Sequence, residues 1–537
     1  MTLNGLVTVS ITTIEKRFHL TSSQSGLFSS MYDIGVLVTL LPVCHFGGKG
    51  HKGRWIAAGM FLLGLGSLVC TIPHLAGEAY VYGQGKRSGL CQPDVLNLST
   101  PRSHSNHGKE SYAYPLLLTG QFLHGTGAAP LYTLGVSYLD ESVSQKMSPV
   151  YLGLFLSSAT VGSAIGFFLG GLLLKINGNI DKSIKASTDV APGDPSWYGA
   201  WWIGFLISSA ILFSTTPLLC AFKKELPGAK LYAKERVDQA NGMSFGRAIV
   251  AGTKQSTTKD LPRLLLALLR NCTFLFIVVK EVLLGFLING FITFLPKFTE
   301  TIFLFSASTS SIVSGGAFIP PAILGNVLGG YLIKWLKLRC RQTILLCILC
   351  GILCVLLIPS FLLDYQGTPL AGADIFYNYA YAASSSSVRV LLSSYFKFWE
   401  TTIFSRCVPF EQRTLALGVD YIFARALGTV PGPIAFGSLI DTACNVWMGS
   451  GNELSCVWYD SVKFKTILFT LSITFKLASV LALMVAWKMY RPPSGTKDGA
   501  HIRWDRIKWF ISWRYTGNPY SFDEGNAVLR SYGKTLK

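Results

Sequence analysis

The stretch DPSWYGAWWIGFL, residues 194–206, sets three tryptophans and a tyrosine behind one charge and ahead of a long apolar run. Rings of this kind bury a flat apolar body and keep an N–H or O–H group wet, which suits the boundary between water and lipid headgroups. The run they open, 198–221, is long enough to cross a bilayer core of about 30 Å, which takes roughly 20 apolar residues. The stretch therefore reads as the point where a loop enters a membrane span. A belt needs only a ring or two, so three tryptophans with Gly199 and Gly204 among them also point to close helix contact, or to a stacking surface on Trp201 and Trp202 for a flat ligand.

Comparable runs recur at 25–46, 55–76, 114–138, 149–174, 272–296, 308–333, 342–363, 414–440 and 464–489, with a weaker one at 376–404. Met1 to Ile14 makes a helix of only about 21 Å at 1.5 Å per residue, so span 1 is expected to be incomplete. Met1 to Ser10 lacks a basic n-region and a cleavage site, so no signal peptide is expected. The chain of 537 residues is half hydrophobic and only 14% charged, against about 25% charged for soluble domains. The reading is an all-α polytopic membrane protein of about twelve spans, the first truncated.

Basic residues stay on the cytoplasmic side of a membrane, so alternate loops test the layout. The connections at 47–54, 139–150, 221–270, 334–341 and 406–413, with the segment from 488 onward, hold 30 Lys and Arg against 11 Asp and Glu; the other connections hold 12 against 13. The formal net charge of +19 thus lies on one side. It is explained by topology and anionic lipid, and no nucleic-acid partner is needed. Loop 221–270 and the C-terminus are placed in the cytoplasm. In HIRWDRIKWFISWRY, Arg503, Arg506, Lys508 and Arg514 alternate with Trp504, Trp509 and Trp513, a pattern expected of an interfacial helix.

Two six-helix halves are expected from repetition: FGGKGHKGRW after span 2 and GGYLIKWLKLRCR after span 8 both join a Gly-Gly pair to a basic cluster. VGSAIGFFLGG in span 5 spaces Gly162, Gly166 and Gly170, and LGTVPGPIAFG in span 11 carries Gly428, Gly432 and Gly437 with Pro431 and Pro433. Such glycines let helices approach closely and the prolines permit a bend. The domains read as 1–220, a first bundle; 221–270, a linker; 271–490, a second bundle; and 491–537, a basic tail.

Charges within spans are costly and mark function. They are Asp33, Lys280, Glu281, Arg389, Lys397, Glu400, Asp420, Arg425 and Lys476. Arg389, Lys397 and Glu400 share one face of span 10, and Glu281, Gly285 and Asn289 share one face of span 7. Arg425 stands beside the glycine and proline break of span 11, where a guanidinium can grip a carboxylate or sulfate while aromatics hold an apolar body.

Cys347 and Cys350 form a CxxC without a second pair, so no metal or cofactor is expected. Cys444 and Cys456 flank the last outer loop in an oxidising compartment and are expected to form a disulfide. Asn97 opens a sequon in the outer loop after span 3. No nucleotide-binding Gly-x4-Gly-Lys motif and no catalytic constellation of histidines and carboxylates occurs, so the chain does not read as an enzyme or an ATP-driven pump.

ITTIEKRFHLTSSQSGLFSSMYDIG, FGGKGHKGRWIAAG, GTGAAPLYTLGVSYLDESV, DPSWYGAWWIGFL, GFLINGFITFLPKF and EQRTLALG together resemble the organic anion transporting polypeptides, a branch of the major facilitator superfamily. The resemblance implies a twelve-helix facilitator in the plasma membrane that moves large amphipathic organic anions by alternating access. Steroid conjugates, bile salts, eicosanoids and thyroid hormones are the implied cargo, with a counter-anion such as bicarbonate. It makes Arg425 a cavity residue, Lys334 and Arg54 candidate basic positions, and His74 a candidate for pH or anion coupling. The Kazal-like outer domain of that family is missing near 364–376, and Ser196 stands where relatives often place a basic residue. These departures leave open a second reading, a truncated, non-transporting membrane protein or scaffold of the same family.

Overall fold

A computed structural model of the chain describes residues 1–47, 50–80, 112–143, 148–182, 197–224, 269–303, 305–316, 340–359, 419–450 and 453–490. Spans 1 to 7 are the helices Thr2–Phe18, Ser22–Pro42, Lys52–Ala76, Ala113–Ser142, Ser148–Leu173, Trp201–Cys220 and Cys272–Phe303. Span 8 is helical over 307–316, span 9 is Cys340–Leu357 and span 12 is Ser461–Met489. Span 10, most of the 221–270 connector and the basic tail lie outside the described residues. Among the described residues, five helices are long and apolar enough to cross a membrane, and Ser157–Leu173 and Arg341–Leu357 are shorter apolar helices.

Span 1 runs a turn past the expected Ile14, because the charges that follow are paired. Glu15 meets Lys297 at 2.5 Å and Lys16 meets Glu300 at 2.6 Å. The Arg17 guanidinium donates to the Glu78 carbonyl at 2.8 Å and lies over the Phe18 and Tyr80 rings. His19 then takes a left-handed conformation, φ 51° and ψ 46°, which ends the helix. Thr21 starts span 2 with a capping box: its hydroxyl accepts the Gln24 N–H at 3.2 Å, and Gln24 Oε1 accepts the Thr21 N–H at 2.9 Å.

Apolar side chains gain little by leaving lipid for a helix interface, so close backbone approach carries the packing. A Cβ on Gly59 would sit 2.5 Å from the Gly127 carbonyl oxygen, and one on Gly127 equally close to that of Gly59, so spans 3 and 4 touch backbone to backbone. The Gly162, Gly166 and Gly170 stripe faces span 1 and packs inside the first half. In span 11, Gly428 and Gly432 face the Val282 and Phe286 carbonyls of span 7, whereas Gly437 abuts the Ser22 backbone of span 2. Span 5 turns Leu154, Val161, Ile165, Phe168 and Leu172 outward at helical spacing, a face suited to lipid.

Span 11 departs from a regular helix. It widens into π-helical turns over Ala424–Thr429, closed by the Val430 N–H donating to the Arg425 carbonyl at 3.0 Å, and resumes as Pro431–Asp441. The prolines lack N–H groups, so the ladder rearranges beside them. The loop between spans 11 and 12 adds a strand pair to the helical fold: β1 (Cys444–Ser450) and β2 (Glu453–Tyr459) form an antiparallel hairpin. The Cys444–Cys456 disulfide closes it, with Cα atoms 5.9 Å apart.

The two halves meet mainly where span 2 packs on span 11 and span 1 on span 7. At one end, the backbone N–H groups of Ser22 and Ser23 donate to the Asp441 carboxylate at 3.0 and 2.9 Å. Ser22 Oγ lies 3.2 Å from Tyr459 Oη, and Ser308 Oγ donates to the Gly171 carbonyl at 2.6 Å. These contacts cluster on the face that the charge count assigns to the outside.

Candidate functional site

Asp33 lies near the middle of span 2, and Arg425 lies in the π-helical segment of span 11. An Arg425 Nη1–H donates to Asp33 Oδ1, and Nη2–H donates to the Tyr421 hydroxyl. The guanidinium carbon stands 4.5 Å from the centre of the Tyr421 ring and 6.0 Å from that of Tyr32. Asn289 of span 7 completes the group: its amide donates to Asp33 Oδ2 at 3.0 Å. The π-helical widening shifts the register of span 11 by one residue, which aims Arg425 at the seam between the halves.

Arginine carries five N–H donors in a planar fork. Within the described residues, Arg425 Nε is buried without an acceptor. The site thus gathers a cation and two tyrosine rings at mid-depth on the boundary between the bundles. This set matches a carboxylate or sulfate attached to an apolar ring system.

A second charged group lies further along spans 7 and 11. Lys280 Nζ meets Glu281 Oε1 at 2.8 Å, and Asp420 Oδ1 is buried without a partner among the described residues. Glu281 therefore pairs with its chain neighbour, while Asn289, on the same face of span 7, contacts Asp33.

The aromatic stretch is built into the end of the first half where spans 1 and 2 join, with Phe18 against Trp201. Trp201 and Trp202 are buried, and their N–H groups are committed, one to the Tyr198 hydroxyl at 2.9 Å and the other to the Gly178 carbonyl at 3.0 Å. Trp197 Nε1 donates to the Leu174 carbonyl at 2.8 Å. His74 stacks on Trp202 with ring centres 4.5 Å apart, its Nδ1 3.3 Å from the Tyr198 hydroxyl and its Nε2 3.2 Å from Asp181 Oδ1. With the imidazole neutral, one chain satisfies every partner: Trp201 N–H to Tyr198, Tyr198 O–H to His74 Nδ1, and His74 Nε2–H to Asp181. Gly199 admits the Leu174 carbonyl, which a Cβ would meet at 2.8 Å.

The structure thus brings Arg425 and Asn289 together through Asp33, and gathers His74, Trp201 and Trp202 in a separate aromatic layer. Arg54 is exposed in the first turn of span 3. Lys334, Arg389, Lys397 and Asn97 lie outside the described residues. Sequence reasoning named Asp33 as an intramembrane charge without its partner, and it passed over Lys297, Tyr421 and Tyr32. The available signal for Tyr421 was its position four residues before Arg425, one helical turn away.

Two helical halves packed across a polar seam define the architecture of the major facilitator superfamily. Solved structures with this fold include a bacterial homologue of the human lysosomal transporter Spinster, with a TM-score of 0.59 at 14% identity, covering 92% of this chain and 96% of that one. A D-xylose–proton symporter superposes with a TM-score of 0.58 at 14% identity, over 92% and 97% of the two chains. The chain shares the fold of this superfamily. The description of the Organic Anion Transporter Polypeptide (OATP) family matches residues 1–388 and 376–464, and the chain belongs to that family. Solute carrier organic anion transporter family member 4A1 of Mus musculus is 32% identical, over 93% of this chain and 81% of its own. Member 4C1 of Homo sapiens is 31% identical over 92% and 80%, and member 2B1 of Homo sapiens 27% over 91% and 86%.

Proposed function

We propose that the chain is a sodium-independent carrier of large amphipathic organic anions, working by alternating access and anion exchange. The observation that carries this reading is Arg425, held at the mid-depth seam beside the Tyr421 and Tyr32 rings. The acidic group of the cargo binds the guanidinium, and its apolar body lies along the aromatics. Steroid conjugates, bile salts, eicosanoids and thyroid hormones fit this chemistry, with bicarbonate or another small anion moving the opposite way. Arg389, Lys397 and Lys334 add positive charge to the cavity in this reading, and Glu281 tunes it. His74 couples transport to pH or anion from the outer layer. The protein works in the plasma membrane, with bundles 1–220 and 271–490 rocking about the seam. The 221–270 linker and the 491–537 tail lie in the cytoplasm.

The test is uptake of labelled estrone sulfate by cells expressing the full chain, with surface biotinylation. A hydrogen bond to a charged group contributes about 1.5–3 kcal/mol, so Arg425→Ala is expected to raise KM or abolish uptake at equal surface level. Arg425→Lys, which keeps the charge but loses the fork, is expected to fall between. Absence of uptake at normal surface abundance selects the non-transporting reading.

A further inference from the structure

Arg425 does not wait for cargo as a bare cation. Asp33 presents two carboxylate oxygens to it and to Asn289, the same acceptor group that an organic carboxylate or sulfate would bring. Asp33 belongs to span 2 and Arg425 to span 11, so the pair joins the two halves at the middle of their seam. Both side chains are largely shielded, with 9% and 13% of their surfaces exposed. A guanidinium stripped of its partner at this depth is costly, because water cannot replace the lost anion.

We infer that Asp33 is a built-in counter-anion, which replaces the cargo on Arg425 in the empty carrier and lets that empty form change sides. The inference rests on the proposed function above and adds to it. Cargo must displace Asp33 to bind, so Asp33 weakens binding while it speeds the return of the unloaded protein. Exchange is then facultative: an anion on the far side accelerates turnover but is not required. An Asp33→Asn carrier would bind cargo more tightly and depend on far-side anion to reset. Asp33 is a positioning residue in this scheme, since it acts through Arg425.

The experiment uses the full-length protein reconstituted in lipid vesicles loaded with labelled estrone sulfate, in gluconate buffer on both sides. Efflux is followed into medium with no substrate and into medium with excess unlabelled estrone sulfate. For the unmodified chain the two rates are expected to agree within about threefold, and strict dependence on external substrate would overturn the inference without any variant. For Asp33→Asn, efflux into substrate-free medium is expected to fall by an order of magnitude or more, on the scale of a bared intramembrane charge. Exchange should change by less than about threefold and KM should fall, because the bound competitor is gone. A loss of both rates in equal proportion, with monodisperse protein, marks a merely structural role and overturns the inference. Asp33→Asn with Asn289→Asp returns a carboxylate to the partner atom 3.0 Å away and is expected to restore substrate-free efflux. No protein-dependent flux from the unmodified chain in either medium overturns the transport reading itself, whereas flux with an unchanged ratio in Asp33→Asn overturns only the role of Asp33.

Discussion

Lys297 Nζ lies 2.5 Å from Glu15 Oε2, and this buried pair fastens span 7 of the second half to span 1 of the first. Lys297 also donates to Ser22 Oγ at 2.8 Å and stands 4.9 Å from the centre of the Tyr459 ring. The network sits at the same end as the Ser22 and Ser23 contacts to Asp441, so it bears on whether that end is shut.

Removing one partner of a buried pair costs about 3–5 kcal/mol. Under the proposed alternating access that cost falls on the arrangement closed at this end, since opening it would bring both groups to water. Lys297→Ala is therefore expected to shift the carrier toward the form open at that end. A cysteine placed at Ser29, which faces Thr293 at 3.2 Å across the seam, reports it through labelling by an impermeant maleimide. Labelling should rise severalfold in Lys297→Ala and return toward the starting level in the Glu15→Lys/Lys297→Glu swap. Equal labelling in all three would show that the pair does not control closure.

Two glycines separate closure from folding. A Cβ on Gly26 of span 2 would lie 2.7 Å from the Pro433 carbonyl carbon of span 11, across the seam between the halves. A Cβ on Gly59 would lie 2.5 Å from the Gly127 carbonyl oxygen, inside the first half. Gly26→Ala is expected to reach the surface normally and lose most estrone sulfate uptake, whereas Gly59→Ala should lower surface abundance itself. Biotinylation beside uptake distinguishes the two effects, and a normal uptake rate in Gly26→Ala would count against close approach at this point.

The described helices were legible in the sequence because lipid demands long apolar runs. The end of span 1 was not legible: Glu15, Lys16 and Arg17 read as the start of a loop, and distant partners, among them Lys297, Glu300 and the Glu78 carbonyl, let them stay helical. Arg425 stood out as a lone cation beside proline. Its pairing with Asp33 did not, since partners almost 400 residues apart share no local pattern. The tryptophan stretch advertised a boundary and a possible ligand surface alike, because indole chemistry serves both.

The disulfide offers a modest test of the β1–β2 hairpin. Closing a loop of about 15 residues stabilises a chain by roughly 3 kcal/mol in the entropic account, and β1 and β2 already hold Cys444 near Cys456 through their ladder. Cys444→Ala/Cys456→Ala is expected to leave estrone sulfate KM unchanged and to make the hairpin more sensitive to external protease. A severalfold change in KM would mean that the hairpin shapes the cargo path.

Tyr198 decides between the two uses of the tryptophans. Its hydroxyl accepts the Trp201 N–H and lies within reach of His74 Nδ1, so Tyr198→Phe leaves a buried indole donor and an imidazole acceptor unsatisfied. An unsatisfied buried group costs about 1–3 kcal/mol. If the aromatic layer is a clamp joining spans 3, 5 and 6, Tyr198→Phe lowers the melting temperature and the surface level while KM for estrone sulfate stays within about twofold. If Trp201 and Trp202 grip the cargo instead, moving them raises KM in protein of normal stability. The commitment of both indole N–H groups to internal acceptors favours the clamp, because a ring fixed on its polar edge and buried on its faces has little surface left to offer a ligand.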